Sequence, residues 1–217
     1  MSARVASINV GKPAAAEWLG RPFRTSISKH SVTGPVTVGT FGVEGDEVSD
    51  TKFHGGVHQA VYAFAREDLD TWGERLGAHI PSGHFGENLT TSGIDVNEAL
   101  IGERWQAGTT VFELADVRIP CSTFDKWLKR TGYQVDKWLK QFTAEGRPGP
   151  YLRVIQPGVV TVGDELQVVH RPDHDITVTT MFRALTTERS LLPRLLDVGD
   201  ELAPTPRAAA EKYAARI

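Results

Sequence analysis

Six short runs rich in Val, Ile, Thr and aromatic residues, each closed off by Gly, Pro, Asn or Asp, govern what this chain can fold into. They are Val5 to Val10, Pro35 to Phe41, His58 to Phe64, Thr109 to Val117, Tyr151 to Ile155 and Glu165 to His170. β-branched and aromatic side chains suit a pleated, half-buried surface, and the punctuating residues suit turns. Many short strands without regular strand–helix alternation predict a barrel or sandwich rather than βαβ units. At 217 residues the chain can enclose one full core with a small appendage.

Helical spacing interrupts this pattern in three places. Arg66 to Leu76 puts Leu69, Trp72 and Leu76 on one face. In Thr123 to Thr143, Asp125-Lys126-Trp127-Leu128-Lys129 recurs as Asp136-Lys137-Trp138-Leu139-Lys140. The offset is close to three helical turns, and Gly132 predicts a split into two short helices whose tryptophans serve packing. After Pro172, Val178 to Leu185, Thr187 to Leu196 and Pro206 to Ala215 read as three amphipathic helices. Thr187 and Thr205 are the expected N-caps, with Pro206 in a first turn. The expected class is therefore mainly β with peripheral helices (α+β): a barrel domain over residues 1–172 and a helical extension over 173–217, divided near Asp173-His174-Asp175.

A net charge of -3 supplies no global positive field, which argues against nucleic acid and anionic membranes as partners. No stretch approaches a membrane span, and the first residues lack the apolar run of a signal peptide. With one cysteine, a cytoplasmic location is expected.

That cysteine, Cys121, follows Arg118-Ile119-Pro120. It is inert core, a reactive thiol or a metal ligand; Arg118 favours its thiolate. The segment Gly39 to His58 carries five glycines, in neither a dinucleotide nor a Walker spacing. His54 and His58 have helical ligand spacing, but Gly55-Gly56 between them opposes a helix, so each reads as a histidine that holds a turn. Asn88, in Gly83 to Gly93, either pairs with a ligand ring or shapes a turn. A cysteine-hydrolase arrangement would take His54 or His58 as base and Asn88 as orienter, yet no protease signature surrounds Cys121.

Taken in order, these blocks resemble the MOSC domain family in its YiiM-like branch, related to the C-terminal domain of molybdenum cofactor sulfurase. The resemblance runs through Thr25-Ser26-Ile27-Ser28-Lys29, Gly45-Asp46 and Asp50, His54-Gly55-Gly56, Ala60-Val61-Tyr62, Glu67 and Trp72. It continues through Phe85-Gly86-Glu87-Asn88-Leu89, Gly102, Gly108, Arg118-Ile119-Pro120-Cys121, Tyr151-Leu152-Arg153-Val154, Pro157-Gly158 and Gly163-Asp164, and ends in a three-helix tail. Ser26, Ser122-Thr123 and Pro148-Gly149-Pro150 depart from the family pattern, in loops expected to shape the substrate mouth.

The resemblance implies a β-barrel that binds molybdenum cofactor (Mo-molybdopterin), with Cys121 as the metal ligand; pyridoxal phosphate is not expected. Thr25, Lys29, His54, Asn88, Arg118 and Arg153 are the residues it nominates for cofactor binding, and His54 is also the candidate proton donor. The implied activity is reduction of N-hydroxylated compounds such as hydroxylaminopurines, with electrons from a separate reductase. No nucleic-acid or membrane partner is expected, and a homodimer is allowed. The alternatives are a sulfur carrier or sulfurtransferase using a Cys121 persulfide, a non-catalytic cofactor-binding protein, and a metal-free cysteine hydrolase.

Overall fold

The computed structural model of the chain describes residues 2–18, 20–51 and 54–216; Lys52 and Phe53 of the glycine-rich segment thus lie outside it. The first strands are β1 (Arg4–Val10), β2 (Ala14–Trp18), β3 (Arg21–Thr25), β4 (His30–Val32), β5 (Val36–Gly39), β6 (Gly42–Val43), β7 (Val61–Ala65) and β8 (Leu89–Ser92). They are followed by β9 (Arg104–Ala107), β10 (Thr110–Val117), β11 (Pro150–Gln156), β12 (Gly158–Val160) and β13 (Leu166–His170). The helices are α1 (Arg66–Leu76), α2 (Ser122–Arg130), α3 (Trp138–Glu145), α4 (Val178–Leu185) and α5 (Pro204–Ala214), with 3-10 stretches over Val57–Gln59 and Arg189–Glu201.

Eight strands form one sheet in the order β13-β9-β10-β11-β7-β8-β1-β4; β12-β5-β6 and the β2-β3 hairpin form smaller sheets. All pairings are antiparallel except β7 with β8, which α1 connects. The protein is α+β and sheet-dominated, as the strand pattern predicts, but the sheet curls without closing into a continuous barrel. The edge of β1 is shared: Ile8 to Val10 pair with β4, and only the start of the strand meets the far end of the sheet. There Arg4 bridges Glu165, Val5 N–H donates to Asp164 O at 2.9 Å, and Leu166 N–H donates to Ala3 O at 2.9 Å.

Two clusters of side chains hold the layers. One contains Ile8, Val38, Trp105, Phe112, Leu114 and Leu152 from the sheets together with Met181, Phe182, Leu192 and Leu195 from the C-terminal segment. Each such side chain contributes roughly 1.5–3 kcal/mol when removed from water. The C-terminal helices are therefore attached by a shared core. Thr177 is the N-cap of α4 and accepts from Thr180 N–H, whereas Thr187 caps nothing and Thr205 lies inside α5, because that helix starts at Pro204. A kink at Gly199 interrupts the middle helical stretch.

The second cluster is aromatic and packs α1, α2 and α3 on the sheet: Phe64, Trp72, Phe85, Phe124, Trp138 and Phe142. The α1 bounds follow from Glu67 and Asp68 in its first turn, Arg75 in its last and left-handed Gly77 after it. Gly132, at φ 93°, separates α2 from α3. Trp138 is fully buried, and Trp127 donates through Nε1 to His84 O at 2.9 Å, so both tryptophans of the repeat pack.

Burial in this cluster lowers the pKa of His84 to about 4. The unfolded chain accepts a proton near pH 6.5 that the folded one refuses until about pH 4, so stability must fall as pH drops through that window. Denaturant midpoints are expected to reveal a loss on the order of 2–3 kcal/mol, in excess of that of His84→Gln over the same range. Parallel pH dependences in the two proteins would remove His84 as the cause.

Candidate functional site

The site lies at one end of the large sheet, where β10 ends, β11, β7 and β8 begin, and two loops cross over them. An open cleft with a cavity volume of about 150 Å³ lies here, lined by polar and aromatic side chains. Cys121, His54, Thr25, Lys29, Asn88 and Arg118 all line it. Arg153 does not. It sits further along β11 and pairs with the buried Glu113.

Cys121 is a half-buried free thiol at the N-cap of α2. Burial pushes its pKa up. A hydrogen bond with His54, the Arg118 charge and the Phe124 backbone N–H outweigh that and bring it to about 6. The thiolate is thus the main form at neutral pH, in the electropositive setting typical of reactive cysteines. His54 reaches it from the loop after β6, where His54 N–H donates to Asp50 O at 3.0 Å. Gly55 then turns the chain at φ 84°, a left-handed conformation costly for other residues.

Arg118 is buried beneath the cysteine. Its guanidinium carbon lies 5.0 Å from the Tyr62 ring centre and 4.8 Å from that of Phe124, and Nη1 donates to Phe85 O at 3.0 Å. Tyr151 adds a further hydrogen bond. Among the described residues Arg118 makes no carboxylate pair within bonding distance, and its buried Nε–H has no partner. Ser26 Oγ, also in the cleft wall, is likewise buried and unpaired. Buried polar groups are nearly always satisfied, so these atoms fit a site completed by a ligand.

The remaining nominated residues are already engaged. Asp46 accepts from Lys29 Nζ and from Gly11 N–H on one oxygen, and from Asn88 Nδ2 at 2.8 Å on the other. Asn88 Oδ1 also accepts from Tyr62 N–H at 3.1 Å, tying β7 to the loop before β8. Burial, the largest cause, lowers the pKa of Lys29, while Asp46 opposes the shift. Thr25 Oγ1 accepts from Ile27 N–H at 3.2 Å. Thr25, Lys29 and Asn88 therefore line the cleft while also bonding within its wall. Glu87, fully buried, organises the neighbouring loop by accepting from Gly83 and Phe85 N–H and from Thr90. Gly11 permits this packing: a Cβ there would lie 2.6 Å from Ser28 O and 2.9 Å from Ser26 O.

Sequence reasoning passed over Arg24, Asp46, Gln59 and Tyr151 as site residues; all line the cleft. Asp46 carried a usable signal, since a carboxylate directly after a glycine, here Gly45, in a polar loop commonly organises turns. Among the described residues no group of three or more His, Cys, Asp or Glu side chains could hold a metal ion. The described residues thus offer one thiolate donor, Cys121, and no cluster of three or more such ligands. No helix among them is long and apolar enough to cross a membrane.

A family model for the MOSC domain matches residues 50–167. The chain is 31% identical over 174 residues to the uncharacterized protein YflK of Bacillus subtilis, covering 80% of this chain and 76% of that one. It is 28% identical over 158 residues to a protein of Gibberella moniliformis named "Reductase", covering 71% of this chain and 27% of that one. The crystal structure of YiiM from Geobacillus stearothermophilus matches with a TM-score of 0.78 at 27% identity, over 97% of this chain and 98% of that one. A family match across more than half of the sequence, joined to a YiiM-like fold over nearly its whole length, makes this chain a member of the MOSC domain family.

Proposed function

We propose that the protein is a molybdenum cofactor-dependent oxidoreductase that reduces N-hydroxylated compounds, hydroxylaminopurines among them, with electrons from a separate reductase. The observation that carries this reading is the single thiolate-favouring Cys121 in a polar cleft where, among the described residues, no three His, Cys, Asp or Glu side chains are grouped to hold a metal ion. A metal arriving with its own dithiolene needs one further soft anionic donor, and thiolate sulfur suits it. When bound, the cofactor supplies the two-electron oxygen-acceptor chemistry that N–O cleavage requires.

The chain's own residues do the rest. Cys121 Sγ is the ligand. Arg118 holds that sulfur anionic and offers its free Nε–H; Ser26 Oγ offers a second hydrogen bond. Arg24, exposed at the cleft, supplies positive charge for the phosphate of the cofactor. Tyr62 and Tyr151 wall the cleft with aromatic surface that restricts water. The imidazole of His54, hydrogen-bonded to Sγ, is placed to hold the proton that the departing oxygen takes up. The Gibberella protein supports the assignment, because a protein named "Reductase" carries a segment similar to this chain over 27% of its length.

The test is metal and pterin analysis of protein made in a host competent for cofactor synthesis, followed by assay on 6-hydroxylaminopurine with a flavin reductase as donor. Near-stoichiometric molybdenum and formation of adenine are expected. Absence of both metal and pterin would sink the reading. A second reading, a sulfur carrier, is favoured by the lowered thiol pKa; mass spectrometry showing a Cys121 persulfide on molybdenum-free protein would establish it instead.

A further inference from the structure

Gln59 closes the 3-10 turn Val57–Gln59, and its side chain lines the cleft. Its Nε2 donates to Asp116 Oδ2 at 3.1 Å, while its Oε1 is buried and has no hydrogen-bond partner. Asp116 owes its place to a break in register: the β10–β11 pairing shifts between Leu114 and Asp116, which sets Asp116 opposite Tyr151 of the cleft wall. Such bulges commonly re-aim a side chain beside a site. The other Asp116 oxygen accepts from Val117 N–H at 2.8 Å. A carboxylate in this role only accepts, so the Gln59 amide is held with its nitrogen toward Asp116 and its oxygen away from it.

This oxygen is a buried acceptor left without a partner at the cleft. The oxygens of Asp46 are taken by Gly11, Lys29 and Asn88, Asn88 Oδ1 by Tyr62, and Thr25 Oγ1 by Ile27. Among the described cleft-lining side chains, the buried polar atoms without a hydrogen-bond partner are Gln59 Oε1, which only accepts, Arg118 Nε–H, which only donates, and Ser26 Oγ, which can do either. A ligand that satisfies the cleft has to bring an acceptor for the arginine and a hydrogen for the glutamine.

We infer that Gln59 is a specificity-determining acceptor, with Asp116 as its positioning residue: Oε1 takes a hydrogen bond from an N–H or O–H of the bound substrate. The cleft then favours compounds whose N–OH group or adjoining N–H carries such a hydrogen over N-oxides, which present oxygen without one. This inference rests on the reading that the cleft takes N-hydroxylated compounds. A site built around an acceptor rejects the partner that lacks the hydrogen, because the buried oxygen is then left unpaired.

Equilibrium binding of 6-hydroxylaminopurine and of purine 1-oxide to the molybdenum-loaded protein tests it, with metal and pterin content measured alongside. The wild type is expected to bind the hydroxylamino compound about tenfold more tightly. Gln59→Leu is expected to bring the two within about twofold at unchanged metal content. Asp116→Asn retains shape but also offers a donor; its amide lets that of Gln59 turn round, and the preference narrows or reverses. An unchanged ratio in both variants would overturn the inference, as would loss of metal and pterin from Gln59→Leu, which would mean that Gln59 holds the cofactor. A loaded wild type that binds neither compound would overturn the underlying functional reading, whereas equal binding of both would overturn only the role of Gln59.

Discussion

Cys121→Ala is expected to retain at least about 100-fold less molybdenum than the wild type while unfolding within a few degrees of it. Removing groups that merely orient a metal ligand typically costs 10–100-fold in affinity, and here the protein's one thiolate donor is itself removed. The fold should tolerate the change. Cys121 is half-buried at the edge of the aromatic cluster, which Phe85, Phe124, Trp138 and Phe142 hold together through edge-to-face contacts around 5–6 Å between ring centres. Metal analysis beside thermal unfolding checks both halves. Stoichiometric molybdenum in Cys121→Ala would place the ligand elsewhere and remove the basis of the mechanism.

Arg118→Met should raise the pKa of Cys121 and reduce its thiolate at neutral pH. The Arg118 charge is among the causes that hold the cysteine at about 6, against burial that pushes it up. The His54 hydrogen bond remains, so without Arg118 the pKa moves part of the way toward the usual value near 8.5, and the thiolate fraction at pH 7 falls by less than the roughly 30-fold that a full return would bring. Alkylation rates measured across pH 5 to 9 on cofactor-free protein report this directly: a wild-type midpoint near pH 6 and a higher one in the variant. The substitution also strands the Phe85 carbonyl and removes the cation contacts to Tyr62 and Phe124, worth about 1–3 kcal/mol of stability. Arg118→Lys restores the charge without the planar fork, so its midpoint should return part of the way. An unshifted midpoint in Arg118→Met would leave His54 and the helix start as the whole explanation for the thiolate.

The sequence made the periodic parts of the fold legible. The bounds of α1, the split at Gly132 and six of the strands follow from spacing and punctuation that act over a few residues. The β2–β3 hairpin was not visible: Ala14-Ala15-Ala16-Glu17 are good helix formers, and only the antiparallel partner Arg21–Thr25 makes them a strand. The site divides in the same way. Cys121 and Arg118 lie close in sequence, so their relation could be read directly. The engagement of Lys29 and Asn88 could not, because Asp46 is 17 residues from one and 42 from the other. Arg153 misses the cleft for a simple metric reason. It is two positions past Tyr151, about 7 Å further along the strand, and there it meets Glu113.

The junction between the first strand and the far end of the sheet has a consequence for how the molecule is made. Ala3 and Val5 leave the ribosome about 160 residues ahead of their partners, yet their carbonyl and N–H groups bond to Gly163, Asp164 and Leu166. The order of synthesis and the order of closure are opposed. A nascent chain can assemble β7, α1 and β8 early, from neighbours in sequence, but the edge of β1 stays open until residue 166 has emerged. The slowest contacts to form are then those spanning the greatest length of chain, and until they form the unfinished edge is the part most in need of protection.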